Sequence, residues 1–527
     1  MADDDDKKAE RLRRAREMAA ARGIGTPAAA PPAAPAKPQP PAPVSAQPQA
    51  RPDTGAQPKP VGFLELIAGL FKPKPVPQAA PVQTNPAVET PAFTVLVAAL
   101  GGDADGAAAT YLNQALSARP SLKIKALGRV FQLDNLEDPS LVSSVVTNTR
   151  HAVAEEDADL LVWGDFAGRD GYRLRLATAT TDDERAAAFG PATRIEIPKD
   201  FAEPANNLLF AAILAAIDPA TEVQKSALRR QLPAAATAAE ALAARPPVQM
   251  SMPQQRSVQL VFGHVATAAA LTLPPEEAFP WFDKAINAYR QAQRRLARTD
   301  AGWEGGLIHK HVAAALVAKA ERTKENAPPL WEEAITEWRS AVENLPRALM
   351  PQEWASSQVR LGGALYRLDL LTGQTELLRE ALQALQATLQ VYSRTETPQR
   401  WAEIMHTIAQ VLEVYGDQIK NVEVLQRAVD ACRSVLEIRT RERGPLAWAA
   451  AQNTLGGALF LLDRHSESGS HLAEAETALA SALEVFQAHG AKGPAKVAAK
   501  NLGHVRKMIE HRRSRQVVDP HWLDDLK

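Results

Sequence analysis

The chain holds 527 residues (56.8 kDa), too many for one hydrophobic core and enough for about three units. Its 60 Lys+Arg balance 61 Asp+Glu for a formal net charge of −1, which excludes a global field for nucleic acid or an acidic membrane and leaves any electrostatic partner to be met locally. A single cysteine, Cys432, excludes an internal disulfide framework and a thiolate metal cluster, and fits a reducing, cytoplasmic compartment.

The amino terminus, MADDDDKKAERLRRAREMAAARGI, lacks the apolar stretch of a secretory signal, so export by that route is not expected. A basic helix is predicted at about 7–22. From Thr26 to Pro91 the composition falls to Pro, Ala and Gln, so 1–92 is predicted to be a disordered tether. Within it FLELIAGLF forms a second predicted helix at about 62–72. Phe63, Leu66, Ile67, Leu70 and Phe71 fall on one broad apolar face, too short to cross a bilayer. They are candidate docking residues for a partner, a peripheral membrane surface or this chain's own folded part.

From Phe93 the pattern alternates: FTVLVAAL as strand, TYLNQALSA as helix, LKIKALG as strand, SSVVTNTRHAVAEEDA as helix, then DLLVWGDF and YRLRLATAT as a hairpin around Gly168 to Gly171. With the helix NNLLFAAILAAI this describes a small α/β domain over 93–217, followed by a partly helical linker over 218–254. Ala158 to Phe166 (ADLLVWGDF) and Gly171 to Leu176 (GYRLRL) resemble the TolB-like amino-terminal domain. The first strand departs from it, running VAALGGDADG where that family ends in Pro-Phe. The resemblance implies a binding or assembly module.

Beyond 254 the chain repeats itself. Trp354, Trp401 and Trp448 fall at equal steps (401 − 354 = 448 − 401 = 47), and four columns keep the same phase: Leu361, Ile408, Leu455; Ala381, Ala428, Ala475; Leu385, Cys432, Leu479; and Leu389, Leu436, Leu483. A first helix carries LGGAL at Leu361 to Leu365 and again at Leu455 to Leu459. A second helix carries Ala, a bulky residue and Ala, as Ala285, Tyr289, Ala292 and Ala334, Trp338, Ala341. These features resemble the tetratricopeptide repeat in a long-period form, since the standard unit is ~34 residues. About five hairpins over 255–516 are expected, closed by a helix from Ala495 to about Arg515, with 517–527 as a tail. The fold class is then multidomain: a tetratricopeptide-like α-helical solenoid, a small α/β domain and a Pro/Ala-rich disordered segment.

No Walker-type loop, H-E-x-x-H, G-x-S-x-G or paired-Cys motif occurs, so no cofactor, metal or enzymatic activity is expected. The loop Gly101, Gly102, Asp103, Asp105, Gly106 suits an ordinary strand-to-helix turn better than a cation site. His309 and His311 project to different sides of one helix. His465 and His471 are expected in a solvent-exposed inter-helix loop, Cys432 in the core, and the three tryptophans as pegs between hairpins.

The expected function is a scaffold that grips a protein partner, not nucleic acid, in a groove lined by polar residues of the first helices: Gln358, Arg360, His406, Gln410, Gln452 and Asn453. The alternatives are a membrane-surface adaptor anchored through 63–71 at the inner face of the cell membrane, and a regulatory subunit of a signalling enzyme.

Overall fold

The computed structural model describes residues 92–179, 185–199, 203–323 and 327–518. The expected helices at 7–22 and 62–72, with Phe63, Leu66, Ile67, Leu70 and Phe71, lie outside these residues, as does the chain after Val518.

The sheet side runs β1 (Phe93–Ala99), α1 (Ala107–Ser117), β2 (Leu122–Val130), α2 (Pro139–Glu155), β3 (Leu160–Phe166), β4 (Tyr172–Ala177), β5 (Ile195–Ile197) and α3 (Glu203–Ala216). Strand order is β2-β1-β3-β4-β5. The first three strands are parallel, and β4 and β5 are antiparallel additions. Alternation sorts the side chains between two cores. Val95, Val97, Leu160 and Val162 face α1 and α3, whereas Leu96, Ala98, Leu161 and Trp163 face α2. Helix α2 opens on Pro139 behind Asp138, whose carboxylate accepts from the amides of Ser140 and Leu141. The three-residue strand β5 was not foreseen in the sequence.

The segment expected as a linker is the 23-residue helix α4 (Glu222–Ala244), started by a Thr221/Gln224 capping box. It buries Ala227, Leu228, Leu232, Ala236 and Ala239 in the same core that holds β1, β3, α3 and the next helices. No break in packing separates the sheet from the helices after it.

Five helical hairpins come next: α5 (Met252–Thr272) with α6 (Pro275–Gln293), α7 (Gly302–Ala320) with α8 (Ala327–Asn344), α9 (Pro351–Thr372) with α10 (Thr375–Thr388), α11 (Pro398–Gln418) with α12 (Val422–Leu436), and α13 (Pro445–Ser466) with α14 (Leu472–Ala488). Helix α15 (Lys492–Val518) packs on the last hairpin. Helices α9, α11 and α13 each begin at a proline, which suits the first turn. Within a hairpin the helices approach closely because a small residue sits beneath a bulky one. A Cβ on Gly362 would fall 2.7 Å from Cγ of Leu385, and one on Gly456 2.5 Å from Cγ of Leu479. The α11/α12 hairpin between them trades both partners at the corresponding positions, Ala409 and Cys432, keeping the summed volume similar. Cys432 is fully buried, as expected, and burial pushes its thiol well above the ordinary range.

Candidate functional site: the array and its junction with the sheet

In open α/β sheets, ligands bind beyond the carboxyl ends of the strands, where strand order reverses. In this sheet that place lies between β1 and β3, at the glycine-rich loop after β1. Its acids are already engaged. Asp103 accepts from the amides of Ala108 (3.1 Å) and Ala109 (2.8 Å), and Asp105 from that of Ala107 (3.1 Å). The positive end of α1, where an anion would sit, thus holds the chain's own carboxylates. Gly101 has no room for a side chain, since a Cβ would lie 2.4 Å from Oδ1 of Asp165. Beside it Arg175, 4 % exposed, donates Nε to the carbonyl of Pro191 at 3.0 Å and lies over the Trp163 ring. Burial lowers the Arg175 guanidinium to about 10 and raises the Asp165 carboxyl. The loop acts as a structural turn.

The junction between β5 and the first hairpins is more unusual. Ser257 of α5 donates its hydroxyl to the carbonyl of Arg194 and accepts from the amide of Glu196, both at 2.8 Å. The free edge of β5 is therefore closed by a side chain of the array. One residue earlier, Arg256 pairs with Asp300 and Glu304 at 2.6 Å each. A cavity of about 60 Å³ remains between these groups, lined also by Trp303, His264 and His311, room for a few waters rather than a metabolite. Behind it the His264 and His311 rings meet edge to face at 4.4 Å, and Tyr289 Oη lies 3.1 Å from Nδ1 of His264. Burial drives the His264 imidazole down to about 3, helped by the nearby Lys310 and Arg185, and lowers His311 well below its usual value. Lys310 is itself paired with Glu353 at 2.5 Å. His309, on the other side of α7, bridges Gln293 (2.9 Å) and Glu337 (2.6 Å), so the two histidines diverge as expected. Among the described residues no group of three or more His, Cys, Asp or Glu is placed to hold a metal ion.

The six expected groove residues divide. Gln358, Arg360 and Gln452 are half-buried. His406, Gln410 and Asn453 are buried, a correction to the groove expectation, because successive inner helices pack directly on one another. His406 Nε2 lies 2.9 Å from Oγ1 of Thr454, and Arg439 reaches its Nδ1 at 3.2 Å. An arginine can only donate, so Nδ1 accepts and the proton sits on Nε2. Burial, with Arg439 beside it, lowers this imidazole to about 3. Asn453 accepts from Asn501 at 3.4 Å. The same kind of stitch joins Gln418 to Asp369 at 2.9 Å and His465 to Asp417 at 2.8 Å. His465 therefore lies in α13 as a partly buried ion-pair partner, correcting its expected place in an exposed loop. Each stitch links residues 48 or 49 apart, one or two more than the tryptophan step, and that offset was the legible signal.

At the end of the hairpins where the inner helices begin, Trp354, Trp401 and Trp448 are half-buried pegs, and each carries a guanidinium over its ring: Arg347 and Arg394 at 5.4 Å, Arg441 at 5.6 Å. Arg394 and Arg441 reach on to Glu437, at the carboxyl cap of α12, and to Glu484 of α14. This edge repeats at a fixed step and stays open to solvent on its arginine side.

No family model and no curated protein sequence matches the chain. Among solved structures it is similar to a circular tandem repeat protein with novel repeat topology, at 15% identity over 59% of this chain and 84% of that one, with a TM-score of 0.25. It is also similar to a Rap protein complexed with competence and sporulation factor, at 14% identity over 58% and 99%, with a TM-score of 0.19. Superpositions this loose bear on neither partner nor activity. The chain's own geometry defines a helical repeat array joined to a five-stranded mixed sheet, and among the described residues no helix is long and apolar enough to cross a membrane.

Proposed function

We propose that this chain is a non-catalytic cytoplasmic scaffold, with tetratricopeptide-like hairpins holding a protein partner and a TolB-like module fixed at their amino-terminal end. The observation that carries this reading is the repeated edge of Arg347 on Trp354, Arg394 on Trp401 and Arg441 on Trp448. Tryptophan and arginine concentrate binding energy at protein interfaces. His406 and Asn453 of the inner helices are engaged by Thr454 and Asn501 of the next inner helix, which favours this edge over an inner groove as the contact surface. The near-neutral charge favours a protein over nucleic acid.

The test is affinity capture from the native cell, comparing the full chain with Arg347→Glu/Arg394→Glu/Arg441→Glu. Loss of captured partners with an unchanged circular dichroism spectrum is the expected result. Partners kept by the triple variant would remove the edge, and partners independent of 255–516 would remove the scaffold reading itself. The stretch 63–71 extends the proposal as a docking helix for a membrane surface or a protein. Unchanged membrane fractionation after its deletion would discard the membrane role.

A further inference from the structure

The array ends on an inner helix with no outer helix after it among the described residues. In earlier hairpins the pairs Leu361-Gly362, Ile408-Ala409 and Leu455-Gly456 recur at a fixed step, and one more step gives Leu502-Gly503 on α15. Leu502 is buried like its counterparts, and Asn501 bonds Asn453 of α13 as the inner helices bond one another. Helix α15 thus sits as a sixth inner helix. Its glycine is uncovered: where Leu385 and Leu479 press on Gly362 and Gly456, a Cβ on Gly503 would meet nothing within 4 Å.

The rim of this seat has changed chemistry. Ala449, Asn453 and Phe460, all buried in α13, correspond to Lys496, Lys500 and Lys507, all exposed. A helix that only had to be soluble at the end of a stack could carry charges of either sign. This one is one-sided, since Glu510 is the only acid from 492 to 514. Lys500 and Lys507 also help burial to hold the His504 imidazole below its usual value. A second copy docking through the same face would bring lysines against lysines.

We infer that the Gly503 face of α15 is a docking seat for an acidic amphipathic helix of a partner protein, which completes the sixth hairpin by setting a leucine-sized side chain on Gly503 between Lys496, Lys500 and Lys507. The seat is independent of the tryptophan edge, so its failure leaves the scaffold reading untouched, and partner capture by the Gly503→Leu variant separates the two.

A fitting probe is present in the chain itself. Helix α14, LAEAETALASALEVFQA, carries Glu474, Glu476 and Glu484, has no Lys or Arg, and already seats Leu479 on Gly456. A fluorescent peptide of residues 470–490 should bind the full chain saturably, and more weakly as salt rises. Gly503→Leu, which fills the seat, and Lys496→Glu/Lys500→Glu/Lys507→Glu, which reverses its rim, should each weaken binding by roughly tenfold or more. Absence of saturable binding, or binding indifferent to Gly503→Leu, overturns the inference. So does tighter, glycine-independent binding of a single-stranded oligonucleotide or of vesicles containing phosphatidylserine. Peptide binding only after removal of 519–527 would name the chain's own end as occupant, and a dimer dissolved by Gly503→Leu in sedimentation would name a second copy; either result also overturns it.

Discussion

Helix α12 buries one stripe, Leu425, Ala428, Val429, Ala431, Cys432 and Val435, and leaves Arg433 and Asp430 to solvent. Its neighbour α13 buries thirteen of its 22 residues, among them Asn453, Thr454 and Asp463. The outer helices are amphipathic because they cover a stack from one side. The inner helices have neighbours on several sides, so their polar groups must find partners across helix boundaries or bear an unpaired burial cost. Buried ionisable groups thus concentrate on the inner helices, and that contrast can be broken experimentally.

The largest effect is expected from acid. His264 of α5 and His406 of α11 are held neutral, with imidazoles lowered to about 3 from the ordinary 6.5. An unfolded chain protonates these groups below pH ~6.5 while the folded one does not, so their contribution is complete above that pH and is lost as pH falls toward 3. At pH ~4.5 each loses two pH units at about 1.4 kcal/mol per unit, so together they cost about 5 kcal/mol. The buried carboxyls of Glu413, Asp369 and Glu304 are raised and act in the opposite sense, so the histidine share is read as a difference: His406→Asn should flatten the dependence of the urea midpoint on pH between 7 and 4.5 by about one proton. A slope left unchanged by His406→Asn would contradict neutral burial.

At the sheet junction, Arg256→Ala leaves Asp300 and Glu304 mostly buried without their shared cation, with Arg194, 3.9 Å from Glu304, remaining beside them. Breaking such a network from one side costs about 3–5 kcal/mol, read as a drop in the urea midpoint. Proteolysis should then cut first in the loop leading to β5, because Ser257, which closes that edge, is the next residue on α5. A midpoint within error of the parent's would make the cluster ornamental.

The third expectation sets two equivalent glycines against each other. Gly456→Leu forces a side chain onto Leu479 and the carbonyl of Ala475, at about 1–3 kcal/mol of overpacking. Gly503→Leu meets open space and should leave the melting temperature unchanged or slightly raised, since glycine costs a helix interior about 1 kcal/mol. The double variant Gly456→Ala/Leu479→Cys copies the α11/α12 hairpin and should be more stable than Gly456→Ala alone. Non-additivity of that sign is what a shared socket requires.

These contrasts also mark what the sequence disclosed. The strands β1 to β4 were legible because alternating apolar residues serve two cores, and the hairpins because a volume match such as Gly456 with Leu479 must recur wherever helices meet at the same distance. Strand β5 was not: Ile195–Ile197 is too short to show a period, and it forms because Ser257, about sixty residues later, satisfies its edge. The burial of His406 and Asn453 was hidden for a related reason. Polarity says that a side chain needs a partner but not whether that partner is water or Thr454. The pairs His406 with Thr454 and Asn453 with Asn501, both 48 residues apart, held the answer, visible only to a search for polar residues offset by one from the repeat.

The smallest expected effect is on the outer surface. Arg433 of α12 reaches both carboxylate oxygens of Glu474 on α14 at 3.0 Å, as Arg339 of α8 reaches Glu380 of α10. Geometrically these pairs are as good as the Arg256 network. Their side chains are nearly half exposed, at 48% and 45% for Arg433 and Glu474, so water screens the attraction and solvates either partner left alone. Arg433→Ala should therefore cost less than about 1 kcal/mol, and less still at high salt. A loss comparable to that of Arg256→Ala would mean that the outer ladder holds the stack together and that the inner stitches are its by-product. If Arg433→Ala is silent while Arg256→Ala is severe, burial rather than pairing distance decides the value of an ion pair in this array.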